Sequence, residues 1–375
     1  MIKLDELIAE FCPDGVPKYC ISDICNISRG RVMSKDYIKE NEGDYPVYSS
    51  QTENDGQLGL ICTYDFDGEY LTWTTDGANA GTVFYRTGKF NVTNVCGLLK
   101  VKDENVLTRY LYYTLNTEAP SHVNAGMGNP KLMSNVMGRI KVSIPPLPVQ
   151  GEIVRILDNF TELTAELTAE LTAELTARKT QYDYYRDSLM TFGDGVEYKD
   201  LEKCCNILDN RRKPVTKAAR EAGKYPYYGA NGIQDYVSEY IFDGTFVLVG
   251  EDGSVITKMG TPVVTWAEGK IWVNNHAHIA EQVEGVLLRY LYHYIQIVNV
   301  TPLVHGNIPK LTGGDFRAIS IPVPPIAEQQ RIVEILDRFD TLCNDISSGL
   351  PAEIAARQKQ YEYYRDKLLT FKKLS

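Results

Sequence analysis

Apolar residues between Val149 and Phe192 recur in steps of three and four: Ile156, Phe160, Leu163, Leu167, Leu171, Leu175, then Tyr182, Tyr185, Leu189 and Phe192. That spacing collects them along one face of an α-helix. It predicts a single helix of about 66 Å if unbroken at 1.5 Å per residue. Its middle, residues 161–177, reads TEL-TAEL-TAEL-TAEL-TA. Three complete tetrapeptides (Thr164–Leu167, Thr168–Leu171, Thr172–Leu175) follow a shortened one, Thr161–Leu163. Leu, Ala and Glu are good helix formers, and no Gly or Pro interrupts the run. Each copy turns the helix by about 400° and adds roughly 6 Å, so the leucine stripe drifts about 40° per copy. Glu162, Glu166, Glu170 and Glu174 form a second stripe whose like charges cost roughly 0.2–0.5 kcal/mol per pair. No Lys or Arg inside the run offsets them. The run predicts a length-setting insert whose face Leu163, Leu167, Leu171 and Leu175 rests on another helix.

A second seam runs through Ile332, Ile335, Phe339, Leu342 and Ile346, breaks at Ser347-Ser348-Gly349-Leu350-Pro351, and resumes at Ile354, Tyr361, Tyr364, Leu368 and Phe371. Gly stops one helix there and Pro starts the next. Each helical segment is entered through prolines, Pro145-Pro146-Leu147-Pro148 and Pro322-Val323-Pro324-Pro325. Short β-type runs broken by Gly and Asp precede each entry, such as Tyr70–Thr74 and Thr82–Tyr85, or Thr245–Val249 and Pro262–Trp266. A shorter helical stretch follows them, near Leu107–Leu115 and Leu287–Ile297.

The whole arrangement occurs twice, about 180 residues apart. Cys25-Asn26-Ile27 matches Cys205-Asn206-Ile207, and Arg109-Tyr110-Leu111-Tyr112 matches Arg289-Tyr290-Leu291-Tyr292. Pro130-Lys131-Leu132 matches Pro309-Lys310-Leu311, Ile156-Leu157-Asp158 matches Ile335-Leu336-Asp337, and 181–192 matches 360–371 at nine of twelve positions. Such internal repetition makes the chain two copies of one fold. The predicted class is α+β: a mixed globule at 1–144, a spacer helix at 145–192, a second globule at 193–323 and a second spacer at 324–375. Paired through their seams, the two long helices would run antiparallel and coiled-coil-like about a pseudo-two-fold. Asp5–Phe11 followed by Gly15-Val16 mimics Asp187–Phe192 followed by Gly195-Val196, which predicts a near-circular arrangement. The copies diverge unevenly. The helical ends are almost identical, suggesting two copies of one partner, whereas Gly68–Arg86 and Gly244–Trp266 align poorly, suggesting two different targets.

Composition narrows this picture without redirecting it. The 375 residues are 43% hydrophobic and 23% charged, with no apolar stretch near the ~18 residues of a membrane span. The acidic MIKLDELIAEF start is not a signal peptide, and eight cysteines lack CxxC spacing, which fits reduced thiols in the cytoplasm. Net charge is −10, yet residues 211–224 hold six Lys/Arg against one Glu, and residues 29–39 hold four against one Asp. Local basic fields of this kind suit a polyanion.

Taken together, the two variable globules, the IPPLPVQ and PPIAEQQRIV helix entries, the R-x-x-Q-Y-x-Y-Y-R-D ends and the TAEL copies resemble the specificity subunit of type I restriction–modification systems along the whole chain. The resemblance implies a non-catalytic subunit without metal or cofactor. Each globule would be a target recognition domain reading half of a split, asymmetric site in double-stranded DNA. The helices would set the unread gap and dock two methyltransferase subunits, with two restriction/translocase subunits joining for cleavage. One repeat adds ~6 Å while a base pair rises ~3.4 Å, so gap length does not follow from helix length alone.

For DNA contact the candidates are Arg211, Arg212, Lys213, Lys217 and Arg220, with Arg29, Arg31 and Lys35 as counterparts, because Arg pairs with guanine and both cations neutralise phosphate. Tyr48 and Tyr228 could line the same face, although aromatics at strand spacing also serve as core. Lys131 and Lys310 recur in both copies, and Asn275 sits in a polar group with Asn274, His276 and His278. That His-x-His pair is weak as a metal site. No phosphate loop or Asn-Pro-Pro-aromatic methyltransferase motif is present. The alternative is a self-contained metal-dependent nuclease using Asp252, Glu268 and Lys270, a D…E-x-K pattern without an evident counterpart in the first copy.

Overall fold

The computed structural model describes residues 2–126, 128–253, 255–345 and 348–372. It forms two compact units, Met1–Ala169 with Ala355–Ser375, and Glu170–Ile354. One helix, Leu147–Leu189, is continuous across the boundary, and the C-terminal helix Leu350–Leu369 also contributes to both units. Pro148 opens the long helix where its missing N–H costs nothing, and Arg186 complements the negative end of the helix dipole in the last turn. The second seam belongs to a separate helix, Ile326–Asn344. Ile346 and Ser347, which carry the end of that seam and the start of the predicted break, lie outside the described residues.

In the first unit, one antiparallel sheet orders the strands Cys25–Arg29, Cys96–Val101, Tyr70–Thr74 and Val83–Arg86. A second orders Gln57–Ile61, Tyr45–Tyr48, Lys89–Val92 and Phe66–Asp67, with a parallel pairing between Tyr45–Tyr48 and Lys89–Val92. In the second unit these become one six-stranded sheet: Cys205–Ile207, Ala277–Gln282, Phe242–Gly250, Val264–Val273, Ala222–Gly229 and Gly232–Val237. Its one parallel pairing, Tyr227 opposite Trp272, repeats that of Val47 opposite Asn91. The topology is therefore the same. Two long strands of the second unit are each broken in two in the first, at the turns containing Gly68 and Gly88. Gly88 and Gly269 both stand at left-handed φ, +76° and +78°, where a side chain would be strained.

Each sheet packs on its own helices. The first core gathers Leu71, Trp73, Leu99, Tyr110, Tyr113, Ile153 and Leu157. The second gathers Val247, Val249, Tyr290, Leu291, Ile332 and Leu336. Within the first unit, Phe160 stacks on Tyr364 at 6.0 Å and Thr161 meets the Tyr361 hydroxyl at 3.0 Å, so the two helices run antiparallel there. Within the second, Tyr182 and Tyr185 lie 6.3 and 5.7 Å from Phe339. The chain's beginning meets the end of its C-terminal helix, where the Val16 N–H donates to the Lys372 carbonyl at 3.0 Å.

The tetrapeptide leucines do not share one seam. Leu171 is buried at 8% exposure, Leu167 and Leu175 are half-buried, and Leu163 is 60% exposed. A four-residue step overshoots each turn by about 40°, so Leu163 has rotated out of the stripe that Leu171 occupies. Buried positions in the second spacer likewise fall at Ile332, Leu336 and Cys343, one residue away from the predicted 335 and 342. The eight cysteines are unpaired thiols; Cys62 is exposed and six are buried. No described helix is long and apolar enough to cross a membrane.

Candidate nucleic-acid interface

The residues that recur in both copies fasten each sheet to its long helix. Gln150, fully buried, accepts from the Leu107 N–H at 2.9 Å and donates to the Asn105 and Pro145 carbonyls, both at 2.7 Å. Gln329 repeats this with the Leu287 N–H and the Gly285 and Pro324 carbonyls. Arg109 donates to Asp158 at 2.8 Å and lies over Tyr85, as Arg289 donates to Asp337 at 2.7 Å and lies over Trp266. Tyr113 also donates to Asp158, and His293 takes its place beside Asp337. Burial pushes the Asp337 carboxyl up, but bonds from His293 and Arg289 outweigh it and hold the group below its ordinary range. In the first unit, Arg155 and Lys3 hold the buried Glu152 carboxyl down to about 2 against the opposing pull of burial.

A second duplicated frame lies at the loop end of each sheet. In the first, Asp76 bridges Lys131, the Gly77 N–H donates to the Pro130 carbonyl at 3.0 Å, and the Leu132 N–H donates to the Thr75 carbonyl at 2.9 Å. In the second, Asp252 bridges Lys310, the Gly253 N–H donates to the Pro309 carbonyl at 3.0 Å, and the Leu311 N–H donates to the Glu251 carbonyl at 2.8 Å. The hairpin strands join the same end in both: the Thr93 N–H donates to the Tyr48 carbonyl, and the Asn274 N–H to the Tyr228 carbonyl. The same backbone bonds thus join Asp-Gly, Pro-Lys-Leu and a tyrosine in both units, while Thr75 and Thr93 of the first are Glu251 and Asn274 in the second. The sequence shows the Pro-Lys-Leu half of this frame, but its Asp-Gly half is hidden because Asp76-Gly77 and Asp252-Gly253 are offset by fewer residues than their neighbours; a search for shared Asp-Gly pairs would have found it.

The frame brings several predicted residues together. Arg29 donates to the Asn94 carbonyl at 3.4 Å and to the Ser134 hydroxyl at 3.2 Å, which ties it to the Lys131 loop. Arg31 bridges Thr93 through its backbone and pairs with Asp65 at 2.8 Å. Lys35, exposed, opens the helix Lys35–Glu40, which Ser34 caps. In the second unit, Arg212 contacts the Asn275 carbonyl at 3.4 Å, the counterpart of Arg29 on Asn94. Arg211 and Lys213 are exposed, over Phe242 at 4.9 Å and Trp272 at 6.0 Å. Lys217 is exposed and Asn275 sits at an exposed turn.

Other candidates are committed to partners within the protein. Tyr228 is buried with Phe242 and Phe246, the core role open to an aromatic at strand spacing, and Tyr48 is half-buried beneath Arg86 at 3.6 Å. Arg220 lies over Tyr227 at 4.1 Å and pairs with Asp235 at 3.2 Å. Arg212, with a side chain 13% exposed, pairs with Glu251 and lies 3.6 Å from Asp209. Lys310 reaches Glu251 at 3.1 Å. His278 faces acceptors through both ring nitrogens, Asp209 at 2.7 Å and the Leu311 carbonyl at 2.9 Å. Asp209, Glu251 and His278 bring possible ligand atoms within 4.8 Å of one another. Arg212 and Lys310 already supply cations to those carboxylates, so the arrangement is an ion-pair network. Burial pushes the Glu251 carboxyl up, yet Arg212, His278 and Lys310 together hold it below its ordinary range.

The nuclease triad is not assembled. Glu268 pairs with Thr245, about 16 Å of strand before the Gly250 end that precedes Asp252. Asp252 bonds His276, Glu268 accepts from Trp266 at 2.7 Å, and Lys270 lies over Tyr240 at 4.7 Å. Two of the three do have counterparts: Asp76 for Asp252, and Lys89, over Tyr64 at 4.5 Å, for Lys270. Thr87 stands where Glu268 does, so these are frame and corner residues.

A duplicated α+β module joined through long helices defines the class of protein. A family model, the type I restriction modification DNA specificity domain, matches residues 13–177 and again 193–356. A chain of Mycoplasma pneumoniae named as a type I specificity subunit, S.MpnORF507P, is 33% identical over 364 residues, covering 93% of this chain and 96% of that one. The specificity subunit of the type I restriction enzyme MpnII from the same organism is 48% identical over 172 residues, 46% of this chain and 52% of its own. Among solved structures, the S subunit of a type I restriction–modification system from M. genitalium matches with a TM-score of 0.52 at 17% identity, covering 94% of this chain and 96% of that chain. A chain from a study of type I complex assembly matches at 0.66 and 14% identity, covering 95% and 98%. The chain belongs to the type I restriction modification DNA specificity family, and it carries that domain twice.

Proposed function

We propose that this chain is the non-catalytic DNA-recognition subunit of a type I restriction–modification complex in the cytoplasm, each globular domain reading one half of a bipartite, asymmetric duplex site. The observation that carries the reading is the loop-end frame, the same backbone bonds in both units with different residues at Thr75/Glu251, at Thr93/Asn274 and in the segments around it. A shared frame fixes how DNA is met, and the variable residues on it decide which bases are accepted. In the first domain Arg29, Arg31, Lys35 and Lys131 meet DNA. In the second, Arg211, Lys213, Lys217 and Asn275 do so, while Arg212 and Arg220 hold the loop in shape.

The helices set the spacing between the half-sites and dock two methyltransferase subunits. Their near-identical ends, 181–192 and 360–371, each present an exposed tyrosine, Tyr184 at 69% and Tyr363 at 62%, as equal anchors for two copies of one partner. Two restriction/translocase subunits complete the cleaving assembly. The test is co-expression with the cognate methyltransferase subunit followed by genome-wide mapping of methylated bases. Two different short motifs separated by an unread gap are expected; a single palindrome would overturn the reading.

A further inference from the structure

We propose that Glu251 is a carboxylate latch that weakens the second domain's grip on DNA phosphates, making it a specificity-determining residue of that domain; this rests on the DNA-reading function proposed above. Arg29 and Arg212 touch equivalent carbonyls, Asn94 and Asn275, each at 3.4 Å. Lys131 and Lys310 occupy the same place in the duplicated frame. Among the described residues no carboxylate lies within ion-pairing distance of Arg29 or Lys131. The residue at the frame position of Glu251 is Thr75, whose hydroxyl lies 2.6 Å from the Val95 carbonyl and 3.2 Å from an Asp76 carboxylate oxygen that pairs with neither cation. In the second domain that position is Glu251, itself 8% exposed, and it pairs with both Arg212 and Lys310.

The two domains therefore offer DNA different fields from one backbone. The first presents two cations without a carboxylate counterion. The second presents a nearly neutral network, from which only Lys310, its side chain 46% exposed, can swing away. Phosphate affinity grows with each cation that displaces a counterion from the duplex. A lysine committed to an internal carboxylate contributes little until the phosphate outcompetes Glu251. DNA lacking the half-site gains no base contacts to offset that exchange, so it is rejected more strongly than the cognate half-site.

The test is fluorescence anisotropy of the full chain with a random-sequence duplex of roughly 30 bp between about 50 and 200 mM salt. Glu251→Gln should tighten binding about 3- to 10-fold and steepen the slope of log K against log salt by about 0.9. Lys131→Ala should weaken binding, whereas Lys310→Ala should change the wild type by less than about 2-fold and remove the gain in the Glu251→Gln background. Should Glu251→Gln fail to fold, the comparison of Lys310→Ala with Lys131→Ala decides. Equal losses from those two variants, or a folded Glu251→Gln chain with unchanged slope, overturn the latch. A wild type without salt-dependent binding overturns the DNA-reading function together with it.

Discussion

Gln150 shows how one side chain can hold a domain to its support. Its amide satisfies one N–H and two carbonyls in a place no water reaches, and Gln329 does the same in the other unit. Removing a buried partner leaves desolvated groups unpaired, so Gln150→Ala and Gln329→Ala should each destabilise their own unit by about 2–4 kcal/mol in urea denaturation. Glu152 supplies a pH signature. Its folded carboxyl titrates at about 2, below its ordinary value near 4.5, so its stabilisation is complete above that ordinary value and is lost as pH falls toward 2. Between pH 5 and pH 3 the wild type should therefore lose more thermal stability than Glu152→Gln. At this scale the sequence was only half legible. Repetition singled out Arg109, Asp158, Lys131 and their counterparts, but the partners of Arg212 and Arg220 lie 39 and 15 residues away, at Glu251 and Asp235. A basic run shows its charge, and only the fold shows which charges are already neutralised.

Among the elements, periodicity located the long helix within two or three residues, predicted from Val149 to Phe192 and found at Leu147–Leu189. The register of its faces was harder to read, because a four-residue repeat slips against a 3.6-residue turn. Leu171 and Leu163 separate the two readings. Leu171→Ala should cost about 2 kcal/mol or more, as expected for a buried leucine, while Leu163→Ala should stay within about 0.5 kcal/mol; thermal melts of both variants check this. The strands were legible as apolar runs, yet their pairing was not. One unit splits at glycine turns what the other keeps as long strands, and divergent side chains hid that shared topology.

For the whole molecule, the two-copy organisation was visible in the sequence because helix-facing anchors and the Pro-Lys-Leu turn recur while most other residues of the globules do not. The Pro-Lys-Leu half of the shared frame was visible too, but its bonding to the Asp-Gly half was not, since that depends on backbone pairing between distant loops. With reading proposed for those loop ends and spacing for the tetrapeptide run, the two are separable. Deleting Thr168–Leu171 removes one repeat and leaves both loop ends unchanged. Mapping methylated sites for this deletion beside the wild type, each co-expressed with its methyltransferase subunit, tests that separation most directly. The predicted result is the same two half-site motifs with an altered gap. Changed half-sites, or an unchanged gap with full methylation, would contradict it.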